Sequence, residues 1–291
     1  MKKVIYVSIF LIILLFVLTG CNKKNEVEDR DKIVTSFYPL YIMTLNITDG
    51  IDEITVKNMT SQTVGCLHNY TLQMTDLKNV DNAKVFIKNG FGLENFMDKI
   101  MSMYPNLKII DTSNSNVETI MDEEEENGHV WTNIENYKKQ VRYITESLCE
   151  IYPEYKEKMK SNMQEYLNKI NKISKYELRN ETYVISCSES LSYILNDAKL
   201  KYLEIETDHD ENGLSSNKLA EAISYAREHN VKVIFIDKND DKRNADLIAK
   251  ETGAKVVSLD SALSGEMNKD EYIKIMNENF EKLKEYLENN I

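Results

Sequence analysis

Two histidines and an aspartate follow apolar runs of this 291-residue chain, each in a short polar segment. His68 lies in CLHNY, His129 in ENGHVWT and Asp260 in SLDSAL. Two imidazoles and a carboxylate suit a borderline divalent cation such as zinc. The three residues are distant in sequence and form no compact motif of the HExxH type, so the fold must bring them together.

Other donor side chains lie near these residues. Cys187 and Glu189 follow a further apolar run in SCSES, and Cys66 precedes His68 by two positions. A thiolate binds zinc well once it is deprotonated, whereas a carboxylate favours a harder ion such as manganese. We interpret His209, in the acidic segment ETDHDENG, as solvated, with an accessory metal contact as the alternative.

The acidic run Asp122–Glu126 leads to His129 in the segment DEEEENGHVWTN. Consecutive like charges repel one another and favour solvent, so we interpret the run as a mobile, solvated loop. Such a loop is at most a weak collector that raises the cation concentration near a site. We expect Trp131 to pack beside the site and to hold the loop that carries His129.

Short runs rich in β-branched residues alternate with stretches of helical spacing, which predicts an α/β fold of parallel sheets covered by helices. The predicted strands are Lys32–Phe37, Glu53–Asn58, Lys84–Lys88, Leu107–Ile110, Thr182–Ser186, Lys201–Ile205, Val231–Asp237 and Lys255–Leu259. Between the two halves, Glu154–Tyr176 is amphipathic without glycine or proline, which predicts one long helix.

The pattern divides the chain into an N-terminal lobe over 32–150, a linking helix over 151–180 and a C-terminal lobe over 181–291. Open α/β sheets bind ligands beyond the carboxyl ends of their strands. The candidate ligands stand at such positions in both lobes. We therefore expect a metal site in the cleft between the lobes.

Residues 1–20 are typical of a secretory signal peptide, with two lysines before an apolar stretch that is short for a membrane span. The segment LTGC resembles a bacterial lipobox, in which Cys21 receives the lipid; an uncleaved signal anchor is the alternative. Residues 21–31 are charged and predict a flexible tether. We expect a protein anchored by lipid at the outer face of the cytoplasmic membrane.

The formal net charge of −12 disfavours nucleic acid as a partner, because an acidic surface repels phosphate backbones. The sequence shows no Ser-His-Asp order, Gly-rich phosphate loop or paired general acid and base. We therefore expect a monomeric binding protein rather than an enzyme.

Several segments together resemble the zinc- and manganese-binding lipoproteins of bacterial ABC importers. The segments are IVTSFYPLYIM, His68 with Tyr70, VFIKNGFGLENFMDKI, His129 with Trp131, and AKETGAKVVSLDSAL. The resemblance extends from Lys32 to Leu287. It implies two α/β lobes bridged by a rigid helix, one metal ion in the cleft, and delivery of that ion to a membrane permease driven by an ATPase.

The resemblance assigns His68 as the first metal ligand, His129 as the second and Asp260 as the fourth. Asp260 could instead cap the turn that starts at Ser261. The third family position, a histidine or glutamate, falls on Ser188, which is a poor ligand. The neighbours that could substitute are Glu189 and Cys187.

These departures from the family pattern leave the identity of the metal ion open. Two imidazoles, a nearby thiol and the acidic loop favour zinc, whereas manganese is favoured if Glu189 joins Asp260. Asn127-Gly128 stands where the family has Asp-Pro before the second histidine. The alternative function is that of a degenerate family member, an adhesion or scaffold lipoprotein with a weak or lost metal site.

Overall fold

The computed structural model describes residues 30–60, 70–122, 125–178, 180–205 and 214–288. The sequence predictions that lie outside these residues concern the signal peptide, most of the tether, Cys21, Cys66, His68 and His209. Within the described ranges, none of the helices has both the length and the apolar character that crossing a membrane requires.

The N-terminal lobe contains a four-stranded parallel sheet in the order β2-β1-β3-β4. Its strands are β1 Asp31–Thr35, β2 Ile54–Asn58, β3 Ala83–Lys88 and β4 Lys108–Asp111. Its helices are α1 Tyr38–Ile47, α2 Met74–Val80 and α3 Met97–Met103. Ile33 of β1 pairs with Val85 of β3, and both are fully buried, as expected where helices cover a parallel sheet.

The C-terminal lobe repeats this plan with a parallel sheet in the order β8-β7-β9-β10. Its strands are β7 Tyr183–Ser186, β8 Lys201–Glu204, β9 Val233–Asp237 and β10 Lys255–Leu259. Its helices are α6 Ser192–Asp197, α7 Ser216–Glu228, α8 Arg243–Thr252 and α9 Glu271–Glu288. In each lobe the first and third strands are neighbours, so the strand order reverses between them, and open α/β sheets bind ligands at such a point. The predicted two-lobed α/β fold is confirmed.

Helices α4 (Ile134–Ile151) and α5 (Lys156–Ile170) connect the lobes. The prediction of one helix over Glu154–Tyr176 is wrong in its length, because α5 ends at Ile170. The chain tightens there, with the Ile173 N–H donating to the Ile170 carbonyl at 3.0 Å, a bond of 3₁₀ type. Ile173 and Tyr176 nevertheless pack on the core, so the apolar spacing continues beyond the helix itself.

Asp122, Glu125 and Glu126 of the acidic run lie in two short antiparallel strands, β5 Met121–Asp122 and β6 Glu125–Glu126, which pair as a small hairpin. Glu125 and Glu126 are exposed, as expected for a solvated segment, but the strand pairing was not predicted. The hairpin returns the chain to the cleft, where the Asn127 N–H donates to the Ile120 carbonyl at 2.8 Å.

Candidate metal centre

His129 lies at the end of the hairpin and is 2% exposed. The Asn127 side-chain oxygen accepts the His129 N–H at 2.9 Å and lies 3.1 Å from Nδ1 of the imidazole. An amide oxygen only accepts, so a neutral His129 carries its proton on Nδ1 and has its lone pair on Nε2, the nitrogen that a metal ion would use. The sequence predicted a ligand here, and the structure adds the residue that sets its tautomer.

Glu189 reaches His129 from the C-terminal lobe. Its Oε1 lies 3.5 Å from Nδ1 of His129. The Asn127 side-chain amide donates to the Glu189 carbonyl at 3.2 Å, and the Tyr193 hydroxyl donates to the Asn127 carbonyl at 2.7 Å. Asn127 therefore fixes the second histidine and also joins the two lobes beside it.

Trp131 connects the His129 segment to the loop that follows β10. Its indole N–H donates to the Ser261 carbonyl at 2.7 Å, and its own carbonyl accepts from the Tyr272 hydroxyl at 2.9 Å. The rings of Trp131 and His129 are 5.2 Å apart. The expected packing of Trp131 beside the site is therefore present, and it places the loop of Asp260 close to His129.

Asp260 follows β10 and has two different oxygen environments. Oδ1 accepts the Ala262 N–H at 2.8 Å, while Oδ2 lies 2.6 Å from the Lys238 ammonium. Burial raises the pKa of Asp260, and its hydrogen bond and ion pair with Lys238 oppose that rise. The turn-capping alternative accounts only for Oδ1, and the second oxygen, Oδ2, is paired with Lys238.

Ser188, at the degenerate third position, has its hydroxyl committed to the protein. That hydroxyl donates to the carboxylate of Asp240 and accepts the Asp237 N–H at 2.8 Å. Asp237 in turn accepts the Ser261 N–H at 2.7 Å, which ties the loops after β9 and β10 together. Ser188 therefore stabilises the scaffold of the cleft in this arrangement.

Cys187 directly precedes Ser188 in the chain but has a different, mainly apolar environment. Its side chain is fully buried in an apolar cluster with Ile185 and Ile234. Burial raises the pKa of Cys187 to about 12, and the charge of Asp240 adds to the rise. A neutral, buried thiol is a poor metal ligand, so this placement favours Glu189 over Cys187.

The N-terminal lobe supports the site through a buried carboxylate that the sequence interpretation did not identify. Glu94 accepts hydrogen bonds from the Ser36 hydroxyl at 2.7 Å and from the N–H groups of Asn89 and Gly90 at 2.6 and 3.0 Å. Burial raises the pKa of Glu94, and these donors oppose the rise. The Asn89 side chain donates to the Gly128 carbonyl at 2.9 Å, so this network holds the residue before His129.

The structure thus brings His129 and Glu189 together, with the Asp260 loop joined to them through Trp131. Among the residues it describes, no three His, Cys, Asp or Glu side chains are grouped closely enough to hold a metal ion. The reasoning that singled out Asp260 could also have singled out Lys238, because the segment IFIDKNDD is an apolar run that ends in charged residues. No sequence signal separated Asn127 from the acidic run before it.

Comparison with known proteins gives one family. A family model described as ZnuA, zinc-uptake complex component A periplasmic, matches residues 33–286. The high-affinity zinc uptake system protein ZnuA of Bacillus subtilis is 26% identical over 286 residues, covering 89% of this chain and 88% of that protein. The zinc-binding lipoprotein AdcA of Streptococcus pneumoniae is 23% identical, and the match covers 92% of this chain but only 58% of AdcA.

Solved structures share the fold. The Mn²⁺ complex of FpvC from Pseudomonas aeruginosa has a TM-score of 0.78 at 20% identity, covering 89% of this chain and 99% of that one. Zinc-bound AdcA from Streptococcus pneumoniae has a TM-score of 0.72 at 22% identity, covering 88% of this chain and 57% of that one. At these identities the structures establish a common architecture.

Proposed function

The chain belongs to the ZnuA family of periplasmic zinc-uptake complex components, and from this premise we propose that it captures a divalent transition metal ion, with zinc favoured over manganese. The single observation that carries the proposal is the buried imidazole of His129, oriented by Asn127 for binding through Nε2. Membership of this family of metal-uptake components also confirms that the protein is not an enzyme.

We assign His68, His129 and Asp260 as ligands of the ion, with Glu189 as the adjacent carboxylate. Glu189 is preferred to Cys187 because its partly exposed carboxylate is in the cleft, 3.5 Å from Nδ1 of His129, and can reach the Nε2 side by a side-chain rotation, whereas Cys187 is inside the core. Two imidazoles with carboxylates suit zinc, and a larger share of oxygen ligands would shift preference towards manganese.

Capture is the first step of import in this proposal. The signal peptide directs export, and the lipid on Cys21 anchors the protein outside the cytoplasmic membrane, where it passes the ion to an ABC permease and its ATPase. The support for the anchor is the segment LTGC before a charged tether, and the AdcA relative carries the name lipoprotein.

Competition titration of the purified protein with zinc and manganese, using a chromophoric chelator, tests the proposal. We expect His129→Ala to weaken zinc binding by at least about 100-fold, since loss of a supporting residue alone costs 10- to 100-fold. His229→Ala is the matched control: His229 stacks on Tyr183 with ring centroids 4.1 Å apart and should leave zinc affinity unchanged.

Further variants separate the remaining ligand assignments. We expect His68→Ala to resemble His129→Ala, Glu189→Ala to weaken binding less, and Cys187→Ala to bind zinc like the wild type. Wild-type protein that binds neither metal, and whose melting temperature is the same with and without EDTA, would contradict the proposal and favour the adhesion or scaffold alternative.

A further inference from the structure

Lys238 directly follows β9 and pairs with the candidate ligand Asp260. Its ammonium lies 2.6 Å from Oδ2 of Asp260 and also donates to the Ser264 carbonyl at 3.3 Å. The Asp260 side chain is 14% exposed and the Lys238 side chain 38% exposed. The pair is therefore mostly sheltered on the aspartate side and open to solvent on the lysine side.

The neighbouring carboxylates have other partners within the scaffold. Asp237 is buried and accepts hydrogen bonds from the N–H groups of Asn239 and Ser261. Asp240 accepts from the Ser188 hydroxyl. Of these three carboxylates, Lys238 therefore pairs with Asp260, the one that the proposed function assigns as a metal ligand.

We propose that Lys238 is an internal counter-ion that occupies Asp260 in the metal-free protein and is displaced when the metal ion binds. The inference rests on the proposed function, because it takes Asp260 as a metal ligand. It makes Lys238 a residue that sets metal affinity and assists release, since the ammonium can return to Asp260 as the ion leaves.

The geometry allows such an exchange with little rearrangement of Asp260. Oδ1 stays bonded to the Ala262 N–H, so the carboxylate keeps its orientation when Oδ2 changes partner. A zinc–oxygen bond is about 2.0–2.2 Å long, and two cations on one oxygen repel each other. Lysine carries its charge on a flexible four-carbon stem, so Lys238 can move into solvent.

Zinc titration of three charge variants tests the affinity part of the proposal. We expect Lys238→Met to tighten zinc binding about fivefold, which is the change in affinity that corresponds to the free energy of a partly exposed ion pair. Lys238→Arg keeps the charge and should retain wild-type affinity. Lys199→Met is the control, because it removes the same charge from an exposed pair with Glu177. Equal tightening in Lys199→Met and Lys238→Met would overturn the proposal, since net charge alone would explain it.

Labelling of the wild-type protein with an amine-acylating reagent, followed by mass spectrometry, tests the displacement directly. Zinc should increase the acylation of Lys238 while that of Lys199 stays constant. In Asp260→Asn, the acylation of Lys238 should be high with or without zinc. Acylation of Lys238 that is unchanged by bound zinc in the wild type would overturn the displacement.

The outcomes also separate this inference from the proposed function. Zinc binding by the wild type with the same affinity in Lys238→Met contradicts only the counter-ion role. Zinc binding by Lys238→Met but not by the wild type would mean that Lys238 competes with the ion strongly enough to prevent binding, which supports the counter-ion role. Absence of zinc binding from both proteins contradicts the counter-ion role and the proposed function together.

Discussion

Asn127 acts at the residue scale by making three contacts that together orient one imidazole. Its side-chain oxygen faces the N–H and Nδ1 of His129, and its side-chain nitrogen donates to the carbonyl of Glu189. Asn127 and Gly128 occupy the positions of Asp-Pro in the family that the sequence resembles. A departure from the family pattern therefore still provides a hydrogen-bond acceptor for the imidazole.

Replacing Asn127 should weaken metal binding without removing a ligand. We expect Asn127→Ala to lower zinc affinity about 10- to 100-fold, the usual cost of losing the partner of a ligating histidine. Asn127→Asp retains the acceptor and should lose less. Chelator competition measures both, with exposed Asn114→Ala as the control. Wild-type affinity in Asn127→Ala would show that the contact does not position His129.

The sequence predicts His129 and Asp260 as site residues because both stand beyond predicted strands, and it does not predict the residues that hold them. Lys238 and Asp260 follow different strands, and their charged atoms lie 2.6 Å apart. Asn127 precedes His129 by only two residues, but its own position is held by the Glu189 carbonyl and the Tyr193 hydroxyl of the other lobe. Strand periodicity predicts which residues reach a cleft. Hydrogen-bond partners depend on the register and the packing of both lobes, which no local pattern encodes.

The loop after β3 shows, at the scale of an element, how backbone conformation supports the site. Gly90 has φ +87°, and a Cβ atom there would lie 2.5 Å from Oδ1 of Asp111 and 2.7 Å from Cβ of Ser113. Its N–H donates to Glu94, so this tight turn also completes the buried carboxylate network. Gly92, two residues later, has φ +75° but open space where a Cβ atom would be.

These two glycines form a matched pair for a stability measurement. We expect Gly92→Ala to lower the free energy of unfolding by about 1–2 kcal/mol, the cost of a left-handed residue with a Cβ atom. Gly90→Ala should cost about 1–3 kcal/mol more, because the methyl group also meets packed atoms. Urea denaturation of both variants measures the difference, and equal losses would mean that the loop relaxes around the added methyl group.

Elements with strong periodicity were predicted from sequence, and the exceptions have physical causes. All eight strands of the two large sheets overlap predicted runs, and seven of them contain β-branched residues, which suit strands covered by helices. The exception is the edge strand β8, Lys201–Glu204, which has no β-branched residue and no buried residue. The predicted length of α5 was wrong because Ile173 and Tyr176 remain apolar for packing after the helix has ended. The hairpin was missed because strands of two residues are too short to show alternation.

The two lobes are joined, at the scale of the whole molecule, by a continuous core. One apolar cluster contains β-strand residues of both lobes together with α4, α5 and α9. Tyr137 of α4 stacks on Tyr272 of α9 with centroids 3.5 Å apart, and its hydroxyl lies 2.8 Å from that of Tyr166 in α5. Closely packed interiors change between discrete arrangements and do not deform smoothly, so a wide opening of the cleft would break this cluster.

Metal binding should therefore leave the overall dimensions of the protein nearly unchanged. We expect small-angle X-ray scattering with zinc and with EDTA to give radii of gyration that agree within about 1 Å, the scale of pre-organised binding. His129→Ala with added zinc serves as the control for non-specific compaction. Local change should concentrate at the loops of His129 and Asp260, which exchange hydrogen-bond partners without moving α4 and α5. A large compaction in the wild type alone would mean that the lobes rotate about the linking helices and that the shared core separates in the metal-free protein.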